Sequence, residues 1–198
     1  MTVVLLRGTN GSGKTYIAQT IMQEMRARAP HEVITLPPDG VKRKRDTVIG
    51  YCWHNSKVTV MGRYETATGG CDSLNWSGAA NDLEAHLVAE HEAGKRHVFM
   101  EGLIISSWGI ERLKRVQRAT GALHIIDLDT SLDLCIYSVL DRRREAGNSS
   151  PLNETNLRLK YRSIETSRVT IKREGLRLEQ LPRDAALDRV RQLLELVS

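Results

Sequence analysis

Eight consecutive residues, Gly8-Thr9-Asn10-Gly11-Ser12-Gly13-Lys14-Thr15, satisfy the pattern GxxxxGK[ST] without a mismatch. Each residue type has a physical task in it. Glycines let the backbone curl so that successive N–H groups converge on an anion. A helix opening at Lys14 adds the positive end of its dipole. Lys14 is placed to neutralise β- and γ-phosphate oxygens, and the Thr15 hydroxyl to ligate Mg²⁺. Gly8, Asn10, Gly11, Ser12, Gly13, Lys14 and Thr15 are therefore the expected binding residues for a nucleoside triphosphate, taken here as ATP with Mg²⁺.

Phosphoryl transfer to an alcohol also needs a proton acceptor in line with the γ-phosphate. Three carboxylates qualify by position. Glu101 follows the apolar run Val98 to Met100, so it belongs at the carboxyl edge of a sheet, as a base or a water-mediated Mg²⁺ ligand. Asp72 closes the glycine-rich stretch Gly62 to Asp72, and Asp39 follows the second apolar run. The choice among them stays open at this point. Charge developing on the moving phosphoryl group calls for cations that arrive with closure, and Arg142-Arg143-Arg144, at the end of a predicted helix, fits a lid of about residues 141–165. Arg142 and Arg143 are the expected contacts.

The apolar runs and breakers that must position these groups alternate between strand and helix. Val3 to Leu6, Val33 to Leu36, Lys57 to Tyr64, His97 to Met100, Leu123 to Leu128 and Leu176 to Leu181 read as strands. Helices are expected over 14–29, 78–93, 107–120, 130–144, 154–174 and 185–197, with Thr130 and Asp133 as a capping box. That alternation predicts one α/β domain over 1–198, a doubly wound, mainly parallel sheet flanked by helices, as in P-loop nucleotide-binding proteins. The loop near Pro182-Arg183 is a reasonable place for the adenine.

Residues 37–77 depart from this rhythm and read as an insertion that binds substrate. Tyr51, Trp53, Tyr64 and Trp76 interleave there with a basic run of which Lys42 and Arg43 are the foremost members. Aromatic faces stack on bases and cations track phosphates. Trp53, Arg63, Tyr64, Gly69 and Gly70 complete the expected substrate contacts; the alternative is that Tyr51 and Trp53 alternate on a strand in the core.

Composition sets limits. Apolar residues make up 40% of the 198 and charged residues 27%, and no apolar run approaches the length of a membrane span. Cys52, Cys71 and Cys135 show no metal-ligand spacing, and His86 and His91 face different sides of their helix, so neither a disulfide framework nor a zinc site is expected. A reducing cytoplasm, the host's if the gene is viral, suits such a chain. A net charge of +5 favours a polyanionic partner only weakly, since a nucleotide site needs positive charge of its own. The strand Val98 to Met100 lacks the Asp-Glu ending of a mechanical ATPase, and no NKxD guanine motif is present.

With its phosphate loop, the Gly62-Arg63-Tyr64 strand end, the Gly69-Gly70-Cys71-Asp72 loop and the Arg142-Arg143 pair, the chain resembles phage-type P-loop kinases, related to nucleoside and nucleotide kinases. The resemblance is to kinases that phosphorylate 5-hydroxymethyluridine in DNA during thymine hypermodification. It implies a kinase acting on DNA that contains a modified pyrimidine. Two alternatives stand beside it: a kinase of free nucleosides or nucleotides, and a nucleotide-dependent DNA-binding ATPase or switch without phosphotransfer.

Overall fold

Strand β1 (Val3–Arg7) is buried along its whole length, yet its side chains still alternate between two layers. Val4 and Leu6 pack with helices α1 (Lys14–Arg28) and α7 (Arg183–Leu193) on one face. Val3 and Leu5 pack with α2 (Ala79–Gly94) and α4 (Ile110–Thr120) on the other. A strand covered on both faces can be apolar throughout, which is why it reads as an unbroken run. Each large side chain so buried contributes about 1.5–3 kcal/mol.

The computed structural model describes residues 2–40, 43–65, 69–74, 76–94 and 96–196. Lys42 therefore lies outside the described residues, as do residues 41, 66–68 and 75 of the 37–77 insertion and residue 197 of the expected terminal helix. The remaining elements are β2 (Glu32–Leu36), β3 (Thr47–Trp53), β4 (Val58–Met61), β5 (His97–Glu101), α3 (Leu103–Ser106), β6 (Leu123–Leu128), α5 (Leu132–Glu145), α6 (Glu154–Arg173) and β7 (Leu178–Leu181). They form one seven-stranded sheet in the order β2-β3-β4-β5-β1-β6-β7. β4, β5, β1, β6 and β7 run parallel, while β3 is antiparallel to both β2 and β4. The expected mainly parallel, doubly wound sheet is the one observed. Among the described residues no helix is long and apolar enough to cross a membrane.

Three local expectations are corrected. The 37–77 segment holds a strand besides the one expected at 57–64: Thr47–Trp53 pairs with both neighbours, with a register shift against β2 at Ile34/Thr35, carrying Tyr51 and Trp53 into the α1/α7 layer, as the alternative reading had it, and Ile49 into the other. The expected helix over 107–120 starts only at Ile110, because Gly109 adopts an extended conformation (φ −71°, ψ 162°) and caps it; the separate short helix α3 ends before it, at Ser106. Helix α5 is capped by Ser131, whose hydroxyl accepts from the Leu134 amide, rather than by Thr130. The Thr130 hydroxyl instead donates to Ser12 O at 3.1 Å, bracing the phosphate loop from β6.

Candidate active site

The turn between β1 and α1 lies at the carboxyl end of the central strand, beside the ends of β5 and β6, where an open parallel sheet leaves a crevice. Gly11 holds φ +81° there, and a Cβ on it would meet Cys135 O at 2.3 Å, so the curl and the close fit against α5 both require glycine. Among the described residues no acceptor takes the amides of Gly13, Lys14 and Thr15. The Thr9 and Ser12 hydroxyls are buried with no partner among the described residues. A set of converging, unsatisfied donors is what a polyphosphate would complete. Lys14 is buried and folds back on this turn, donating to Gly8 O at 2.9 Å and Thr9 O at 3.0 Å. Burial lowers its pKa, against the opposing pull of Glu101 and Asp72.

Glu101 ends β5 and is 1% exposed. Its Oε1 accepts the Thr15 hydroxyl at 3.2 Å. Burial, chiefly, pushes its carboxyl up to about 7; Lys14 opposes that rise and Asp72 adds to it. A carboxyl poised in this way, hydrogen-bonded to the threonine that follows the lysine, can accept a divalent cation in place of its proton. Thr15 and Glu101 thus fit Mg²⁺ chemically.

Asp72 stands on the open wall of the same crevice. Its Oδ1 accepts the Ile104 amide at 2.9 Å at the start of α3, and its carboxylate faces the crevice and is exposed. The loop that brings it there is pinned by close contacts. Gly70 holds φ +76°, and a Cβ on it would lie 2.1 Å from Glu101 Oε1. The Arg63 amide donates to Gly70 O at 3.1 Å, and Gly69 packs between Tyr64 and Thr15. Tyr64 is held as a neutral phenol by burial, with Glu101 reinforcing the shift.

The crevice measures about 1320 Å³, and its far wall is built from α5 and α6. Arg142 lines it; Arg143 does not, and instead donates to Ser150 O at 2.8 Å to hold the turn after α5. Lys160 of α6 and Arg183 of α7 also line the crevice, the Arg183 guanidinium lying 5.0 Å over the exposed Tyr16 ring. Sequence reasoning missed Lys160, since one lysine on a basic helix carries no signal of its own. Arg183 falls in the loop expected near the adenine.

Other expected residues lie elsewhere. Asp39 follows β2, four strands from β1 and so roughly 19 Å away along the sheet. Its Oδ1 accepts the Arg43 amide at 2.9 Å, and its Oδ2 faces the Arg43 guanidinium at 3.4 Å. Arg43 also pairs with Asp82 at 3.0 Å and stacks on Trp76. Trp53 is wholly buried in the core and presents no face to a ligand.

Behind the phosphate loop lies a charge cluster that the sequence reading did not single out. Arg7 of β1 sits opposite Asp127 of β6 in the parallel register, both fully buried, with Nε 3.5 Å from Oδ1. Arg168 of α6 donates to the other Asp127 oxygen at 3.0 Å, and Arg7 donates to Ser167 Oγ at 2.5 Å and Ser106 O at 3.3 Å. The Ser106 hydroxyl accepts the Gly8 amide at 3.1 Å. One buried network therefore ties the start of the phosphate loop to α3 and α6. Charged residues inside apolar strand runs were the available signal.

No protein-family model matches the chain. It is 29% identical over 195 residues, 98% of this chain and 97% of the other, to a protein of Pseudomonas phage PaMx11 named 5-hmdU DNA kinase. It is 27% identical over 175 residues to a 5-hmdU DNA kinase of Delftia phage PhiW-14, covering 82% of this chain and 60% of that longer protein. Among solved structures, a gluconokinase from Sinorhizobium meliloti 1021 aligns with a TM-score of 0.44 at 11% identity, over 98% of this chain and 89% of that one.

Proposed function

We propose that the chain is an ATP-dependent kinase that transfers the γ-phosphate to the 5-hydroxymethyl group of hydroxymethyluracil in DNA, within an infected host cell. The observation that carries this reading is the likeness, along 98% of the chain, to a phage protein of that name. The crevice supplies matching chemistry: a donor-lined turn, a buried lysine, a threonine–glutamate pair and an exposed carboxylate opposite two cations.

Each group has one task in this reading. The amides of Gly13, Lys14 and Thr15 hold phosphate oxygens, and Lys14 swings from its loop carbonyls to the β- and γ-phosphates. Thr15, with Glu101 behind it, would hold Mg²⁺, which would supply positive charge to the phosphates. Asp72 takes the proton of the hydroxymethyl group as its oxygen attacks the γ-phosphorus and the bond to the β-phosphate oxygen breaks. Its open position on the crevice wall favours it over Glu101, which is enclosed behind Thr15, and over Asp39, which is far along the sheet. Arg142 and Lys160 approach from α5 and α6 as the segment 141–165 closes over the nucleotide. Arg183 and Tyr16 flank the adenine. Arg63, Tyr64, Gly69 and Gly70 would form the floor on the acceptor side. The modified base must leave its stack to reach this floor.

Incubation with γ-labelled ATP and either hydroxymethyluracil DNA, ordinary DNA or free nucleosides tests the proposal. Label on hydroxymethyluracil DNA alone is expected. Label on free nucleosides alone would instead make this a small-molecule kinase, and ATP hydrolysis without any labelled acceptor would make it a DNA-stimulated ATPase.

A further inference from the structure

The sequence placed DNA contacts in residues 37–77, but the structure uses several of those groups internally and leaves Lys44 and Arg45 exposed. Tyr51 and Trp53 are in the core, and Arg43 is shared between Asp39, Asp82 and Trp76. A denser basic surface lies on the other side of the crevice. Helix α6 carries six basic and two acidic side chains, nearly the whole of the chain's net charge of +5.

Many surface arginines and lysines face carboxylates: Arg112 and Arg115 meet Glu84, Arg189 meets Glu179, and Arg191 meets Glu24. Among the described residues Lys44 and Arg45 between β2 and β3 form no ion pair, and neither do Arg142, Lys160 and Arg162 on α5 and α6. The apolar surface falls in the same place. Of the seven large hydrophobic side chains most exposed among the described residues, five are on α5 and α6, including Tyr137 at 61% and Leu159 at 60%. Helical spacing joins them to the crevice. Leu134 and Ser138 of α5 line it, with Tyr137 the next position around; Lys160 and Ser163 of α6 line it, with Leu159 one turn before Ser163 and Arg162 further around on the outward side.

We propose that this outer face of α5 and α6, with Tyr137, Leu159 and Arg162 at its centre, is where the DNA strand flanking the modified base lies. The proposal rests on the DNA reading above. Uncompensated cations beside exposed aromatic and aliphatic side chains are the pairing that single-stranded nucleic acid takes: phosphates on Arg162, a neighbouring base on Tyr137. Contiguity with the crevice lets one strand lie on the face while one of its bases enters.

The test measures KM and kcat for a hydroxymethyluracil oligonucleotide, and the salt dependence of its binding, in wild type, Arg162→Glu, Tyr137→Ala and Tyr137→Phe. Both substituted residues are exposed, and unchanged thermal unfolding verifies that the fold is intact. Arg162→Glu should raise KM about tenfold at moderate salt and reduce the slope of log affinity against log salt by about 1, with kcat at saturating DNA retained. Tyr137→Ala should raise KM, and Tyr137→Phe should restore it. If wild type labels hydroxymethyluracil DNA but neither Arg162→Glu nor Tyr137→Ala moves KM or the slope, the surface is wrong and the kinase reading stands. A rise in KM confined to Lys44→Glu or Arg45→Glu would also overturn it, moving the strand to the β2–β3 side. Should wild type label free nucleosides only, the kinase-on-DNA reading falls and this surface with it.

Discussion

The Thr15 hydroxyl and the Glu101 carboxylate meet at 3.2 Å across the carboxyl ends of two neighbouring parallel strands. One belongs to the first turn of α1 and the other ends β5, so the contact joins the nucleotide side of the crevice to the acceptor side. Much of the proposed chemistry depends on that contact.

The first consequence is a dependence of stability on pH. Glu101 is pushed from its ordinary 4.5 to about 7, mainly by burial. A carboxyl that keeps its proton longer when folded than when unfolded binds more protons in the folded state between those two values. Stability of the ligand-free protein should therefore fall as pH rises from about 4.5 to about 7, by about 3 kcal/mol at most. Glu101→Gln, neutral and similar in shape, should flatten that profile in urea titrations at pH 5 and pH 8. An unchanged slope in the variant would assign the titration to another group.

Asp72→Asn separates chemistry from binding. The amide oxygen can still accept from Ile104, so the start of α3 should remain as it is. Removing the proton acceptor should lower kcat by about 10²–10⁴ while calorimetric affinity for Mg·ATP stays within a few-fold. Wild-type turnover in Asp72→Asn would return the role of base to Glu101.

Gly70→Ala tests the close approach of the acceptor loop to β5. The added methyl would sit 2.1 Å from Glu101 Oε1, on a backbone at φ +76°. A loss of about 1–3 kcal/mol is expected in chemical denaturation, together with a fall in kcat. The double variant with Glu101→Ala should recover part of the stability and none of the activity. Equal stability loss in single and double variants would show that backbone strain, rather than the Glu101 contact, sets the effect.

Asp127→Asn leaves Arg7 buried beside a neutral partner. Breaking one side of a buried ion pair commonly costs about 3–5 kcal/mol, and that loss is expected here. Arg168→Gln, at the half-exposed end of the same cluster, should lose clearly less. Similar losses in both would mean that the cluster is held as much from α6 as from β1.

Much of this architecture was legible where local pattern and tertiary role coincide. The strand–turn–helix at residues 3–28 needs its apolar run, its glycines and its Lys14-Thr15 all within one segment, so the sequence displays it directly. Strand β3 was legible only as one of two readings, because its basic and glycine-rich flanks mask a run whose Tyr51 and Trp53 are buried by distant helices. The same residues looked like a base-stacking platform for want of that packing information. Asp72 and Glu101 were each visible as candidates, but their division of roles depends on which one faces the crevice. Lys160 became distinguishable from the other cations of α6 only by its place on the crevice wall.

The most direct test of the central claim locates the transferred phosphate. Hydroxymethyluracil DNA reacted with Mg·ATP is digested to nucleosides after removal of terminal phosphates, and the nucleosides are analysed by mass spectrometry. The account predicts a 5-phosphomethyl-deoxyuridine product with wild type and none with Lys14→Ala. Unmodified hydroxymethyldeoxyuridine with wild type, under conditions in which the protein binds both Mg·ATP and the DNA, would contradict it.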